Sequence, residues 1–137
     1  INNLYKKNTV GIQLVCNLAN PTSSLGWWNK ERLGILQRIK EQNGTVLALA
    51  LLHHLRITYG IPFAKQFELL ASITKHALVE YVARDDSQIR RMMIGRDESV
   101  YTDYTRESFE NVIGEHFKIS QCSQIEDSMR SLYEIHV

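Results

Sequence analysis

The stretch TVLALALLHHLRITYGIPF, residues 45–63, decides how this chain is read. Its continuous apolar run over 46–52 follows Gly44 and stops at the paired His53 and His54. An apolar run of that length between a turn signal and polar residues predicts a strand, 45–52, buried on both faces. Such strands belong to parallel sheets covered by helices, and ligands of those sheets sit beyond the strand carboxyl ends. His53 and His54, placed in the following loop 53–62, are therefore the first candidates for a functional site.

Working outward, residues 4–7 would finish a helix, and VGIQLVC (10–16) predicts a strand. NLANPTSSLGWWN (17–29) is a loop by its Pro21, Gly26 and Ser/Thr content. KERLGILQRIKEQ (30–42) predicts an amphipathic helix with Leu33, Ile35, Leu36 and Ile39 inward, stopped in left-handed backbone at Asn43-Gly44. FAKQFELLASIT (63–74) predicts a second one, with Phe63, Phe67, Leu70, Ala71 and Ile73 inward. HALVEYV (76–82) is a strand interrupted by Glu80, and Asp85-Asp86-Ser87 opens a helix that ends by Gly95. After the polar loop RDESVYTDY (96–104), Thr105 caps a helix over 107–116. Strands over 117–123 and 131–136 close the chain, and their short connection makes them an antiparallel hairpin. The alternation predicts an α/β fold of mostly parallel strands flanked by helices, with the antiparallel hairpin at one edge.

The chain has 137 residues, 44% hydrophobic and 23% charged, with a net charge of +1. That suits a single domain and supplies no basic footprint for nucleic acid or an anionic membrane. Cys16 and Cys122 stand alone and read as reduced core thiols of a cytoplasmic protein, with a disulfide as the alternative. No segment reads as a membrane span or signal peptide. The opening Ile1-Asn2-Asn3-Leu4-Tyr5 has no initiator Met and reads as the middle of a helix, which predicts missing upstream sequence, with a processed amino terminus as the alternative.

Several segments, taken in order, carry a family resemblance: NLANPTSSLGW (17–27), LALALLHHL (47–55), IPF (61–63), LVEYVARDD (78–86), RDESVYTDYTRESFE (96–110) and SMRSLYEI (128–135). They resemble the class I S-adenosylmethionine-dependent methyltransferases, in particular a bacterial group related to nodulation proteins. The resemblance implies a partial Rossmann-like sheet and S-adenosyl-L-methionine as cofactor. It implies methyl transfer to an acceptor that the sequence does not identify. It also implies contacts to the cofactor from Asn17, Leu18 and Leu52, with Asn17 standing where the family has the acidic residue that reads the adenine amino group. The family's glycine-rich loop and its ribose-binding acidic residue have no counterpart in this chain, because the seven glycines are scattered. The chain thus corresponds to the carboxyl-terminal two-thirds of such a domain, and weak or absent cofactor binding is expected.

His53, His54 and Glu80 are the candidates for the acceptor side, each with a packing alternative. One histidine could pack under the sheet and satisfy a backbone carbonyl. Glu80 could hold a proton or substrate amine, or serve as the ion-pair partner of an arginine such as Arg84. No His/Cys/Asp/Glu spacing suggests a metal. Of Trp27 and Trp28, one is expected to pack against the sheet. Asp85, Asp86, Asp103 and Tyr104 could close over a substrate, with helix capping the alternative for Asp85 and Asp86. Arg90, Arg91 and Arg96 read as solvated charges, with binding of an anionic substrate the alternative. The alternative function is a non-catalytic interaction module, with a homodimer formed through an exposed sheet edge. A hydrolase would need a GxSxG elbow, which is missing.

Overall fold

In the computed structural model, which describes residues 14–137, four strands form one mixed sheet: β1 (Thr45–Ala48), β2 (His76–Val82), β3 (Lys118–Gln124) and β4 (Arg130–His136). Their order is β1-β2-β4-β3, with β1 and β2 parallel and the other two pairs antiparallel. β1, β2 and β3 thus run in one direction and β4 against them, and the order of this mixed sheet is not clearly Rossmann-like. The carboxyl-terminal hairpin is antiparallel as expected, and its second strand lies between β2 and β3.

Five α-helices accompany the sheet among the described residues: α1 (Ile35–Gln42), α2 (Leu52–Ile57), α3 (Phe63–Ile73), α4 (Ser87–Met93) and α5 (Arg106–Gly114). Alternate residues of β2 and β4, namely Ala77, Val79, Tyr81, Tyr133 and Ile135, are buried in the core. Phe63 and Phe67 of α3 both stack edge-on against Phe109 of α5, at 5.1 and 5.2 Å, and Phe109 in turn meets Tyr81 and Tyr133. That aromatic layer ties α3 and α5 to the sheet. On the other face, Thr45, Leu47, His76, Leu78, Glu134 and His136 line an open hollow of about 420 Å³.

The decisive stretch is shorter as a strand than its composition predicts. β1 ends at Ala48, and only Ala48 is buried; Leu47 is 63% exposed. β1 is the edge strand of the described sheet rather than an interior one. The reason lies at Ala50, whose left-handed backbone (φ 50°) turns the chain out of the sheet. Its N–H donates to the Glu80 carboxylate at 2.8 Å, which fixes the turn. The remaining apolar residues then wind into α2, so His53 and His54 lie on a helix and not in a loop. An uninterrupted apolar run carries no periodicity that separates the two outcomes.

Other boundaries move for local reasons. Backbone hydrogen bonds between Leu25 and Arg32, 2.8 and 3.1 Å, draw the segment before α1 into an extended return, so the helix begins at Ile35 instead of residue 30. Gly34 sits where this return crosses the loop: a Cβ there would lie 2.7 Å from the Thr22 carbonyl oxygen. Asn43 supplies the left-handed stop, φ 47°. Leu14–Cys16 are not in a strand, while residues 10–13 and the expected helix over 4–7 lie outside the described residues. Neither tryptophan packs, since Trp27 is 82% and Trp28 77% exposed. The cysteines are not core thiols either: both are free, Cys16 half-buried and Cys122 exposed.

Candidate functional site

Glu80 lies on the face of β2 that carries His76 and Leu78, yet it is only 6% exposed, so its charge requires partners. It has two. One oxygen accepts from Arg130 Nη1 at 3.0 Å, and the other accepts the Ala50 N–H. Arg130, at the start of β4, also donates from Nε to Asp86 Oδ2 at 3.4 Å. The other Asp86 oxygen accepts from the Gln88 N–H at 2.8 Å, capping α4. The partner of Glu80 is thus Arg130 and not Arg84, which pairs with Glu98 at 2.9 Å.

His53 lies on α2, just past the Ala50 turn that Glu80 holds. It is 4% exposed, and its Nδ1 has no hydrogen-bond partner. Burial, then the neighbouring His54 and the Arg130 guanidinium, push its pKa down to about 4, against the opposing pull of Glu80 and Asp86. At neutral pH the ring is uncharged. The His54 ring lies beside it, tilted by 37° with ring centroids 4.3 Å apart, and is itself exposed. The Glu80–Arg130–Asp86 group thus sits at the carboxyl ends of β1 and β2, and Glu80 holds the Ala50 turn after which α2 carries His53 and His54.

The expected cofactor residues are distributed differently. The Asn17 side-chain oxygen turns back onto the Ala19 N–H at 3.0 Å, closing a local turn. Leu18 and Leu52 meet in the wall of one apolar pocket of about 170 Å³, bounded by α1, β1, α2 and α3. Among the described residues no carboxylate stands in that wall. Asp103 and Tyr104 are structural: the Asp103 carboxylate takes the buried Arg56 guanidinium, and the Tyr104 hydroxyl donates to the Val82 carbonyl at 2.9 Å. Arg90 pairs with Asp85 at 3.0 Å.

Sequence reasoning missed Arg130 and Ala50. Arg130 follows a turn-like segment and has the look of a solvated charge; only the β2–β4 register, which pairs Val82 with Arg130, brings it near Glu80. Nothing local marks Ala50 as left-handed.

Among the described residues no three His, Cys, Asp or Glu side chains gather as a metal site, and no helix is long and apolar enough to cross a membrane. The chain is 32% identical over 122 residues to nodulation protein NoeA of Rhizobium meliloti (strain 1021), a match covering 89% of this chain. The match takes in 25% of that protein, so the chain spans about a quarter of its curated relative's length. No family model matches the chain. No solved structure matches it either.

Proposed function

We propose that this chain is part of a methyltransferase-related domain and forms the acceptor side of a methyl transfer from S-adenosyl-L-methionine. The observation that carries the proposal is the polar cluster of Glu80, Asp86 and Arg130 at the carboxyl ends of two parallel strands, where ligands of α/β sheets bind, with His53 on the helix that follows the Glu80-held turn. The similarity to a nodulation protein over 89% of the chain supports the family named by the sequence motifs.

Within the cluster the roles divide by chemistry. Glu80 has both oxygens engaged, which makes it a poor base. It is a positioning residue that holds the Ala50 turn and hence the start of α2. His53 is neutral, so one of its ring nitrogens is an acceptor that can orient an acceptor's O–H or N–H. A ring held near pKa 4 is a weak base, and strong proton abstraction is not its task. His54 is the exposed member of the histidine pair.

The described residues do not fit the whole cofactor. The Asn17 oxygen is turned onto its own loop, and the pocket shared by Leu18 and Leu52 lacks a carboxylate for ribose hydroxyls. The 137 residues are therefore expected to bind S-adenosylmethionine in the millimolar range or more weakly. Calorimetric titration of the chain checks this, and a micromolar Kd would contradict a chain that supplies the acceptor side alone.

A second reading, a non-catalytic interaction module, is favoured by one feature. The edge strand β1 presents Thr45 and Leu47 to solvent, an invitation to pair with a second copy. Light scattering across a concentration series tests it. A dimer that Leu47→Lys dissolves supports it, and a monomer throughout removes it.

A further inference from the structure

We infer that the pocket between α1, β1, α2 and α3 is a binding site for a small, neutral, compact apolar molecule bearing a single N–H or O–H donor. Leu18, Leu36, Ile39, Leu52, Leu69 and Leu70 are among the aliphatic side chains that line its roughly 170 Å³. One polar group interrupts them. Gln66, on α3, is 3% exposed, and its Nε2 donates to the Ile61 carbonyl at 2.8 Å. The carbonyl needs a donor, which fixes the amide orientation and leaves Gln66 Oε1 buried without a partner. Lys65 contributes only its stem, because its ammonium is drawn to Glu68 at 2.7 Å on the surface.

Water is a poor occupant of such a place. A buried water makes about three hydrogen bonds, whereas aliphatic walls and one acceptor provide one. Apolar cavities of about 150 Å³ stay dry and accept benzene-sized molecules, so the size of this pocket suits a one- or two-ring compound. An unpaired buried carbonyl is costly, so a ligand with a matching donor binds more tightly than its isostere without one. A nucleoside is disfavoured, since its ring nitrogens and ribose hydroxyls would lose water and find no partners. The site is thus separate from the strand-tip cluster and does not depend on the methyl-transfer proposal.

Indole and benzofuran, equal in shape but with a ring oxygen replacing the N–H, make the test, read by titration of the isotope-labelled chain. Indole is expected to saturate, moving signals of Leu18, Leu36, Ile39 and Leu69, with benzofuran about tenfold weaker or more. In Gln66→Met the two should bind alike. Ile39→Phe, which fills the pocket and leaves Gln66 in place, should abolish indole binding, so the proposal stays testable even if Gln66→Met does not fold. No saturable indole binding, equal affinities in the unaltered chain, an unchanged indole affinity in Ile39→Phe, or tighter binding of adenosine at the same residues would each overturn it.

Discussion

Burial keeps His53 neutral, and the native ring titrates near 4, well below the 6.5 of the unfolded chain. Between those values the unfolded chain binds a proton that the native one refuses, so stability falls as pH drops from about 6.5 and levels off below 4. The loss reaches at most about 3 kcal/mol. Urea unfolding at a series of pH values measures it, and His53→Gln should flatten the slope; an equal slope in both would remove His53 as its source. Glu80 makes a complementary prediction. Glu80→Ala strands Arg130 and the Ala50 N–H, with an expected cost of about 2–4 kcal/mol, less than for a deeply buried pair because Arg130 keeps Asp86 and some solvent. Glu80→Leu combined with Arg130→Met should recover part of that cost in the same unfolding assay.

At the scale of elements, caps and hairpins behave as their residues dictate. The Thr105 hydroxyl accepts the Ser108 N–H at 3.1 Å, so Thr105→Ala should destabilise α5 by about 1 kcal/mol, seen as a lower unfolding midpoint. These elements were legible because their signals are local. Asp86 and Thr105 are N-caps, Asn43 is a left-handed stop, and the short 124–129 connection forces an antiparallel pair. The stretch over 45–57 was legible only in part. Its apolar residues satisfy strand and buried helix equally, and a long-range hydrogen bond from Ala50 to Glu80 decides between them. The same distance hid Arg130, fifty positions from Glu80 along the chain. His53 and Glu80 could be singled out as a histidine past an apolar run and a carboxylate inside one, whereas the Ala50 turn that links them depends on that long-range contact.

Taken whole, the molecule has an aromatic core between α3, α5 and the sheet, and a polar knot where the two parallel strands end. The knot holds a turn, a helix start and a β-strand mouth together, so ligand contact there should register in all three. Titrating the isotope-labelled chain with millimolar S-adenosylhomocysteine, followed by backbone amide spectra, probes this directly. Weak, fast-exchange shifts confined to residues 48–54, 80–86 and 130 are expected, and they should vanish in His53→Gln. Shifts clustered on another surface would contradict the placement of a ligand crevice at the strand tips.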